Sequence, residues 1–159
     1  MSPGTVNLAN YSWWIHTIEC DSDRLDRAGS GNEASAAWWG FNAEDATKCL
    51  QSAIDSGAKK VVVPFMGTEW IGRPIRLRSN LELAFEPGVV VLAKKGEFRG
   101  KGDSLFAAAD AENITLRGYG TTLRMRKKDY QHSPYTKAEW RMTLDFAGCR
   151  KIAVEGLPS

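Results

Sequence analysis

The chain has 159 residues, of which 43% are hydrophobic and 25% charged, as expected for one globular domain. These values exclude a disordered chain, a collagen and a coiled coil, and no apolar run approaches the roughly 20 residues that span a bilayer. The formal net charge is +2, but residues 1–57 carry net −5 and residues 58–159 carry net +7. This asymmetry hints that the second part meets an anionic partner, although a solvated surface of mixed sign explains it more simply.

Residues 1–38 form an N-terminal extension for which the sequence predicts no regular element. Its first residues contain neither a basic region nor an apolar region, so no signal-peptide pattern is visible. The three cysteines, Cys20, Cys49 and Cys149, have the spacing of neither a metal knuckle nor a redox pair. We therefore identify no cofactor and no metal site from the sequence.

The segment Glu44–Ser56 is predicted to be an amphipathic helix that covers an apolar surface. Asn42 is a suitable N-cap, Glu44 and Asp45 favour the first turn, and Gly57 ends the helix. One apolar stripe follows the helical period and consists of Ala46, Cys49, Leu50, Ala53 and Ile54.

After Gly57 the apolar period changes from that of a helix to that of strands. Short runs with alternating apolar residues are separated by turn residues, and no second helix is predicted. The predicted strands centre on 61–63, 75–77, 81–85, 89–92, 114–116, 123–125, 142–146 and 152–154.

A weak internal repeat indicates how these strands are arranged. The tetrapeptides that begin at Asn80, Asn113 and Lys151 share a polar, apolar, variable, apolar pattern, at offsets of 33 and 38 residues. A unit of two or three short strands without a crossover helix suits a solenoid whose turns stack on one another. A β-sandwich is the alternative, but it needs hairpin turns, and the chain contains no Asn-Gly or Asp-Gly dipeptide.

The segment from Trp39 to Gly57, followed by Val61-Val-Val-Pro64, resembles the beginning of the right-handed parallel β-helix proteins of the pectin-lyase-like superfamily, which includes polygalacturonases and pectate lyases. The resemblance covers residues 39–157. It implies an all-β fold, namely a right-handed parallel β-helix, or solenoid, with an N-terminal capping α-helix. It also implies that residues 39–159 are the cap and first coils of a truncated domain, and that the protein is extracellular or periplasmic.

The catalytic motifs of these families are missing from the sequence. Polygalacturonases carry Asn-Thr-Asp, Asp-Asp, Gly-His-Gly and Arg-Ile-Lys, and none of the four occurs here. The calcium-binding aspartates and the catalytic arginine of pectate lyases cannot be placed either. Stacked coils could bring together Asp110, Glu112, Asp145 and Glu155, but these are more simply solvated strand-end charges. His16 and His132 are more simply surface histidines.

The catalytic residues are therefore unknown, and two functions stay open. The chain is either the N-terminal part of a polysaccharide hydrolase or lyase, or a non-catalytic β-helix module that is structural or binds carbohydrate. The coding sequence beyond Ser159 would separate them.

The best candidate for a binding site is the basic segment Leu123–Tyr130. Its arginines alternate with apolar residues and are predicted on the outer face of one strand, before a loop rich in basic and aromatic residues. Guanidinium and ammonium groups beside aromatic rings suit an acidic, uronate-bearing polysaccharide. The candidate substrate-binding residues are Arg124, Arg126, Lys127, Lys128, Tyr130 and Trp140. A solvated turn with local packing is the simpler interpretation, and a net charge of +2 argues against nucleic acid.

The two ends of a solenoid expose unpaired strand groups over an apolar core. The predicted helix would close the first end, but nothing after Val154 is long enough to cover the other. We therefore predict that the isolated chain self-associates end to end, or is marginally stable and aggregates.

Overall fold

The computed structural model describes residues 32–136 and 141–158. Most of the predicted N-terminal extension and the candidate Trp140 lie outside these residues. Within them the chain forms one α-helix, α1 (Thr47–Asp55), and eleven short strands. The strands are β1 (Glu33–Ser35), β2 (Lys60–Val63), β3 (Trp70–Gly72), β4 (Ile75–Arg76), β5 (Leu81–Phe85), β6 (Val90–Ala93), β7 (Phe106–Ala109), β8 (Glu112–Arg117), β9 (Thr122–Arg124), β10 (Leu144–Ala147) and β11 (Arg150–Glu155).

The strands form three sheets in which every pairing between described strands is parallel. The first sheet has the order β1-β2-β5-β8-β11, the second β3-β6-β9 and the third β4-β7-β10. From β5 onward, each strand pairs with the strand three places before it. Hairpin-linked antiparallel sheets, and with them the β-sandwich alternative, are therefore wrong. The fold is mostly β, with short parallel sheets and one helix.

The internal repeat found in the sequence is confirmed by the strand register. Leu81 of β5 pairs with Ile114 of β8, which in turn pairs with Ile152 of β11. The residues that precede these three, Asn80, Asn113 and Lys151, all have a left-handed backbone, with φ of 57°, 57° and 55°. Asparagine tolerates this conformation better than most residues. Nδ2 of Asn113 also donates a hydrogen bond to Oδ1 of Asn80 over 2.9 Å.

The apolar core lies between the three sheets. Side chains alternate along each strand, so the same inward positions stack from strand to strand, as in β5, where Leu81, Leu83 and Phe85 are buried. The ring of Phe85 in the first sheet meets Phe106 of the third edge to face, with centroids 5.9 Å apart. One continuous cluster of buried side chains includes residues of all three sheets. Burial decreases toward the last strand, where Val154 is 44% exposed.

The outer face of the first sheet carries charges that alternate in sign from strand to strand, here called the charge ladder: Glu33, Lys60, Glu82, Arg117 and Glu155. Lys60 Nζ lies 2.8 Å from Glu33 and is in register with Glu82. Arg117 reaches Glu82 over 3.0 Å and Glu155 over 2.9 Å. Opposite charges on neighbouring strands stabilise the pairing, whereas like charges oppose it.

One corner of the molecule stacks bulky side chains over glycines. A Cβ atom on Gly156 would lie 2.6 Å from the ring of Tyr119, and a Cβ on Gly88 would lie 3.5 Å from the ring of Phe65. Both glycines have positive φ, which favours glycine at each position, and at Gly156 the close ring of Tyr119 gives a second reason. The pairs are Phe65 with Gly88, Pro87 with Gly120, and Tyr119 with Gly156.

Helix α1 covers the first strands, as its apolar stripe predicts. Leu50 and Ile54 are fully buried, and each such side chain contributes roughly 1.5–3 kcal/mol when buried. Burial also raises the pKa of the Cys49 thiol to about 12, so this thiol stays protonated.

The predicted N-cap of α1 is wrong. Asn42 accepts a hydrogen bond from the amide of Glu44 in a local turn, and the helix begins five residues later, at Thr47. Asp45 serves the first turn instead: its Oδ1 accepts from the Thr47 amide over 3.1 Å, while Oδ2 binds Lys94 over 2.7 Å and Arg73 over 3.0 Å. Contacts with residues far along the chain thus select the start of the helix.

The end of the predicted extension belongs to the folded domain. β1 pairs in register with β2, and the 3-10 helix Ala36–Trp39 packs against α1 and β2. Within this short helix Ala36 and Trp39 are buried. The structure therefore includes residues 33–38 in the same unit as the rest, whereas the sequence predicts a boundary after residue 38.

Candidate functional site

The predicted basic segment lies along a groove with a volume of about 860 Å³. Strand β9 ends at Arg124, one residue before the buried Met125, so only the first arginine is on the strand itself. The remaining basic residues follow in the loop, and the strand β10 begins on the other side of the groove. The lining residues are Leu92, Leu123, Arg124, Met125, Arg126, Lys127, Lys128, Asp129, Arg141, Met142, Thr143, Leu144 and Pro158.

Four of the six candidate residues line this groove together: Arg124, Arg126, Lys127 and Lys128. Arg124, Lys127 and Lys128 are exposed, so their charged groups are available to a ligand. Arg126 is half-buried, and its Nε donates to the carbonyl oxygen of Ala93 over 2.8 Å. That hydrogen bond fixes the arginine against the neighbouring strand β6.

Tyr130 requires a correction, because its ring does not line the groove. Only 5% of the residue is exposed, and burial raises the pKa of its phenol. Its hydroxyl oxygen accepts a hydrogen bond from the amide of Arg126 over 3.3 Å. The ring meets Tyr135 edge to face at 5.0 Å. Tyr130 thus supports the loop beneath the basic side chains and does not present its ring to a sugar.

Arg141 is a groove residue that the sequence reasoning missed. Its guanidinium carbon lies 4.8 Å from the ring centroid of Tyr130 and 5.8 Å from that of Tyr135, in cation–π geometry. Nη2 donates to the carbonyl oxygen of Thr136 over 2.7 Å. The residue is only 8% exposed, and neither Nε nor Nη1 has a hydrogen-bond partner among the described residues. No periodicity distinguishes this arginine, because it and both rings lie in the irregular connection between β9 and β10.

The groove is therefore strongly positive. Among the described residues, five basic side chains line it and one acidic side chain, that of Asp129, accompanies them. The buried guanidinium of Arg141, which has no carboxylate partner in the part of the chain that the structure describes, adds to the local potential, because water screens it less than an exposed charge. Such an arrangement attracts anions. Leu92, Leu123 and Met142 supply the apolar part of the lining.

The carboxylates considered from the sequence do not meet in this groove. Glu155 is engaged with Arg117 in the charge ladder, while Glu112 and Asp110 are exposed near the turn between β7 and β8. Asp145 lies on β10 in register with Ala107. His132 is exposed at the end of the 3-10 helix Asp129–Gln131.

No cluster of three metal-binding side chains is present in residues 32–136 and 141–158. Across the same residues, no helix is long and apolar enough to cross a membrane.

Solved structures include a fold that is similar to this one. The fold is similar to the crystal structure of a "putative glycosyl hydrolase" from Parabacteroides merdae, with a TM-score of 0.62 and 19% sequence identity. The match covers 80% of this chain and 66% of that chain. No protein-family model matches the sequence, and the search of curated proteins found no match. The similarity therefore concerns the fold.

Proposed function

We propose that the chain forms the capped first coils of a right-handed parallel β-helix that binds an acidic polysaccharide. The β-helix interpretation is supported by parallel pairing between each strand and the third strand before it, around one core. The helix α1 over the first strands supports the capping role. The likeness to a protein titled a glycosyl hydrolase favours carbohydrate as the ligand class.

The observation that carries the binding proposal is the groove beside β9. Arg124, Lys127 and Lys128 present exposed cationic groups, and Arg141 lies behind them as a buried cation. Carboxylate groups of a uronate chain form charge-assisted hydrogen bonds with such groups. The apolar part of the lining suits the carbon-bound face of a sugar ring.

Binding of polygalacturonate to the full chain tests this proposal. Replacing Arg124 and Lys128 together by alanine removes two cations, and we expect the dissociation constant to rise at least about tenfold. The double variant Lys48→Ala with Lys59→Ala is the matched control, since both lysines are exposed and neither lines the groove. An equal loss in both variants would show attraction by net charge only and would contradict the groove assignment.

A neutral polysaccharide separates charge recognition from sugar recognition. We expect dextran to bind much more weakly than polygalacturonate, and added salt to weaken the polygalacturonate complex. Equal affinity for both polymers would overturn the assignment of an acidic ligand.

The protein from which these coils come is then either a polysaccharide hydrolase or lyase, or a non-catalytic binding module. The missing catalytic motifs favour the module for residues 1–159, and the similarity to a hydrolase favours the enzyme for a longer chain. Further in-frame coils with clustered carboxylates after codon 159 would support the enzyme, and a stop codon would support the module.

A further inference from the structure

Strand β11 is the outermost strand of the first sheet among the described residues. Some of its peptide groups point toward the neighbouring strand β8, and the others point away from the sheet. The carbonyl oxygen of Glu155 accepts a hydrogen bond from the amide of Gly118, so Glu155 is directed toward β8. Because neighbouring residues of a strand alternate in direction, the peptide groups of Ile152 and Val154 face away from β8. Among the described residues no strand pairs with this edge of the sheet, which therefore offers the amides and carbonyls of two apolar residues.

We propose that this 159-residue chain forms a two-fold dimer by antiparallel pairing of β11 with β11 of a second copy, in the register that places Ile152 opposite Val154 of the other chain. In this register the outward-directed residues face each other, and each such pair exchanges both N–H···O=C bonds. The inference is independent of the polysaccharide groove and goes beyond the proposed function.

The charges at the two ends of β11 fit the same register. Lys151 of one copy comes opposite Glu155 of the other, and the two-fold axis through Ala153 repeats this pair. Lys151 is exposed, and its left-handed backbone places it just before the regular part of the strand. Glu155 is 41% exposed and already binds Arg117 through one oxygen, but a carboxylate accepts from two cations. The alternation of the charge ladder thus continues across the contact.

Head-to-tail stacking of copies is disfavoured by the opposite end of the sheet. The first strand, β1, carries Glu33, so stacking it on β11 would bring Glu33 beside Glu155, two like charges. Helix α1 also packs on β2 and β4 and covers the apolar side chains at that end. The proposed contact between two β11 strands therefore gives a closed two-fold dimer, and copies do not add head to tail into a fibre.

Apolar side chains of the last strands complete the contact surface. Phe146 and Ile152 are only partly buried, and Val154 is 44% exposed. A second copy in two-fold orientation removes this surface from water at the same time as it pairs the strand edges.

Sedimentation velocity of the full chain at several concentrations tests the dimer. We expect a monomer–dimer equilibrium that Lys151→Glu and Glu155→Lys each weaken at least about tenfold, because each change makes both cross-chain pairs repulsive. Mixing the two variants restores the dimer, since the carboxylate introduced at position 151 then faces the amine introduced at position 155. Lys48→Glu, on the exposed face of α1, is the control and leaves dimerisation unchanged.

A backbone variant tests the edge without changing charge. Val154→Pro removes an amide that faces away from β8, so the intrachain sheet keeps its hydrogen bonds while the dimer is lost. Circular dichroism establishes that each variant is folded. A wild-type chain that stays monomeric, an open-ended polymer, or a dimer that none of these variants affects would overturn the proposal.

Discussion

Nε of Arg78 lies 2.5 Å from the carbonyl oxygen of Ile54, in the last turn of α1. The same guanidinium donates from Nη2 to the carbonyl oxygen of Ala58. The guanidinium thereby satisfies the Ile54 carbonyl, which the helix leaves unpaired, lies at the negative end of the helix dipole, and also binds the chain just after the helix. Arg78 thus fastens the covering helix at its C-terminal end, while Asp45 fastens the N-terminal end through Lys94.

Replacing Arg78 by methionine keeps much of the side-chain volume but removes the donors. We expect the free energy of unfolding to fall by about 2 kcal/mol, because charged hydrogen bonds to partly buried carbonyls are lost. Urea denaturation followed by circular dichroism measures the change. Arg76→Met is the control at an exposed position of β4, and an equal loss there would contradict a specific capping role.

Asp45 makes stability depend on pH. Burial alone raises the pKa of its carboxyl, but hydrogen bonds from Lys94 and Thr47 outweigh it and hold the pKa well below the ordinary value of 3.8. Since the folded-state pKa is the lower one, the stabilisation is fully present above about pH 4 and is lost as the pH falls toward the folded-state value.

We therefore expect Asp45→Asn to destabilise the chain by about 1–3 kcal/mol at pH 7, with a difference from wild type that shrinks below pH 4. Denaturation midpoints measured between pH 7 and pH 2 check this. A difference that stays constant down to pH 2 would show that the carboxylate charge is not the cause.

A comparison of Gly156 with Gly67 separates two reasons why a position requires glycine, namely a positive φ and a lack of space for a Cβ atom. Both have positive φ, but a Cβ on Gly67 meets nothing within 4 Å, whereas one on Gly156 lies 2.6 Å from the ring of Tyr119. Alanine at either position is expected to cost about 1 kcal/mol from the backbone alone. Gly156→Ala should cost about 1 kcal/mol more, and this excess should vanish when Tyr119→Ala is also present. An excess that persists in the double variant would contradict the ring contact.

The chain as given is expected not to turn over polygalacturonate or pectin. The sequence lacks the acid–base motifs of the hydrolases, and Glu155 is held by Arg117 in the charge ladder. Reducing ends report hydrolysis, and ultraviolet absorbance of unsaturated uronate reports lyase action. Clear turnover that Asp145→Asn abolishes would show that a carboxylate on β10 is catalytic.

The strands of the internal repeat and their register could be predicted because their signals are local, whereas the predicted strands do not include β1, β3 and β7. Alternating apolar residues mark β5 and β8, and the repeated pattern from Asn80 and Asn113 predicts which residues stack. The start of α1 could not be predicted in this way, because the position of Asp45 depends on a hydrogen bond from Lys94, 49 residues later.

The basic segment of the groove was visible as a run of charges, but the place of each side chain in it was not. The sequence predicts that the ring of Tyr130 stacks on a sugar, but in the structure Arg141 covers this ring. Tyr130 and Tyr135, which lie in the same connection between β9 and β10 as Arg141, pack against that arginine, and such a contact leaves no periodic pattern.

The charge ladder also limits how such a chain can change in length. Duplicating or deleting one strand of the first sheet would bring two like charges side by side, for example Glu82 next to Glu155 if β8 were removed. Two consecutive strands of this sheet can be gained or lost together without this conflict, because the sign of the charge returns after every second strand. The charges on the outer surface of the sheet therefore favour changes in length by an even number of its strands.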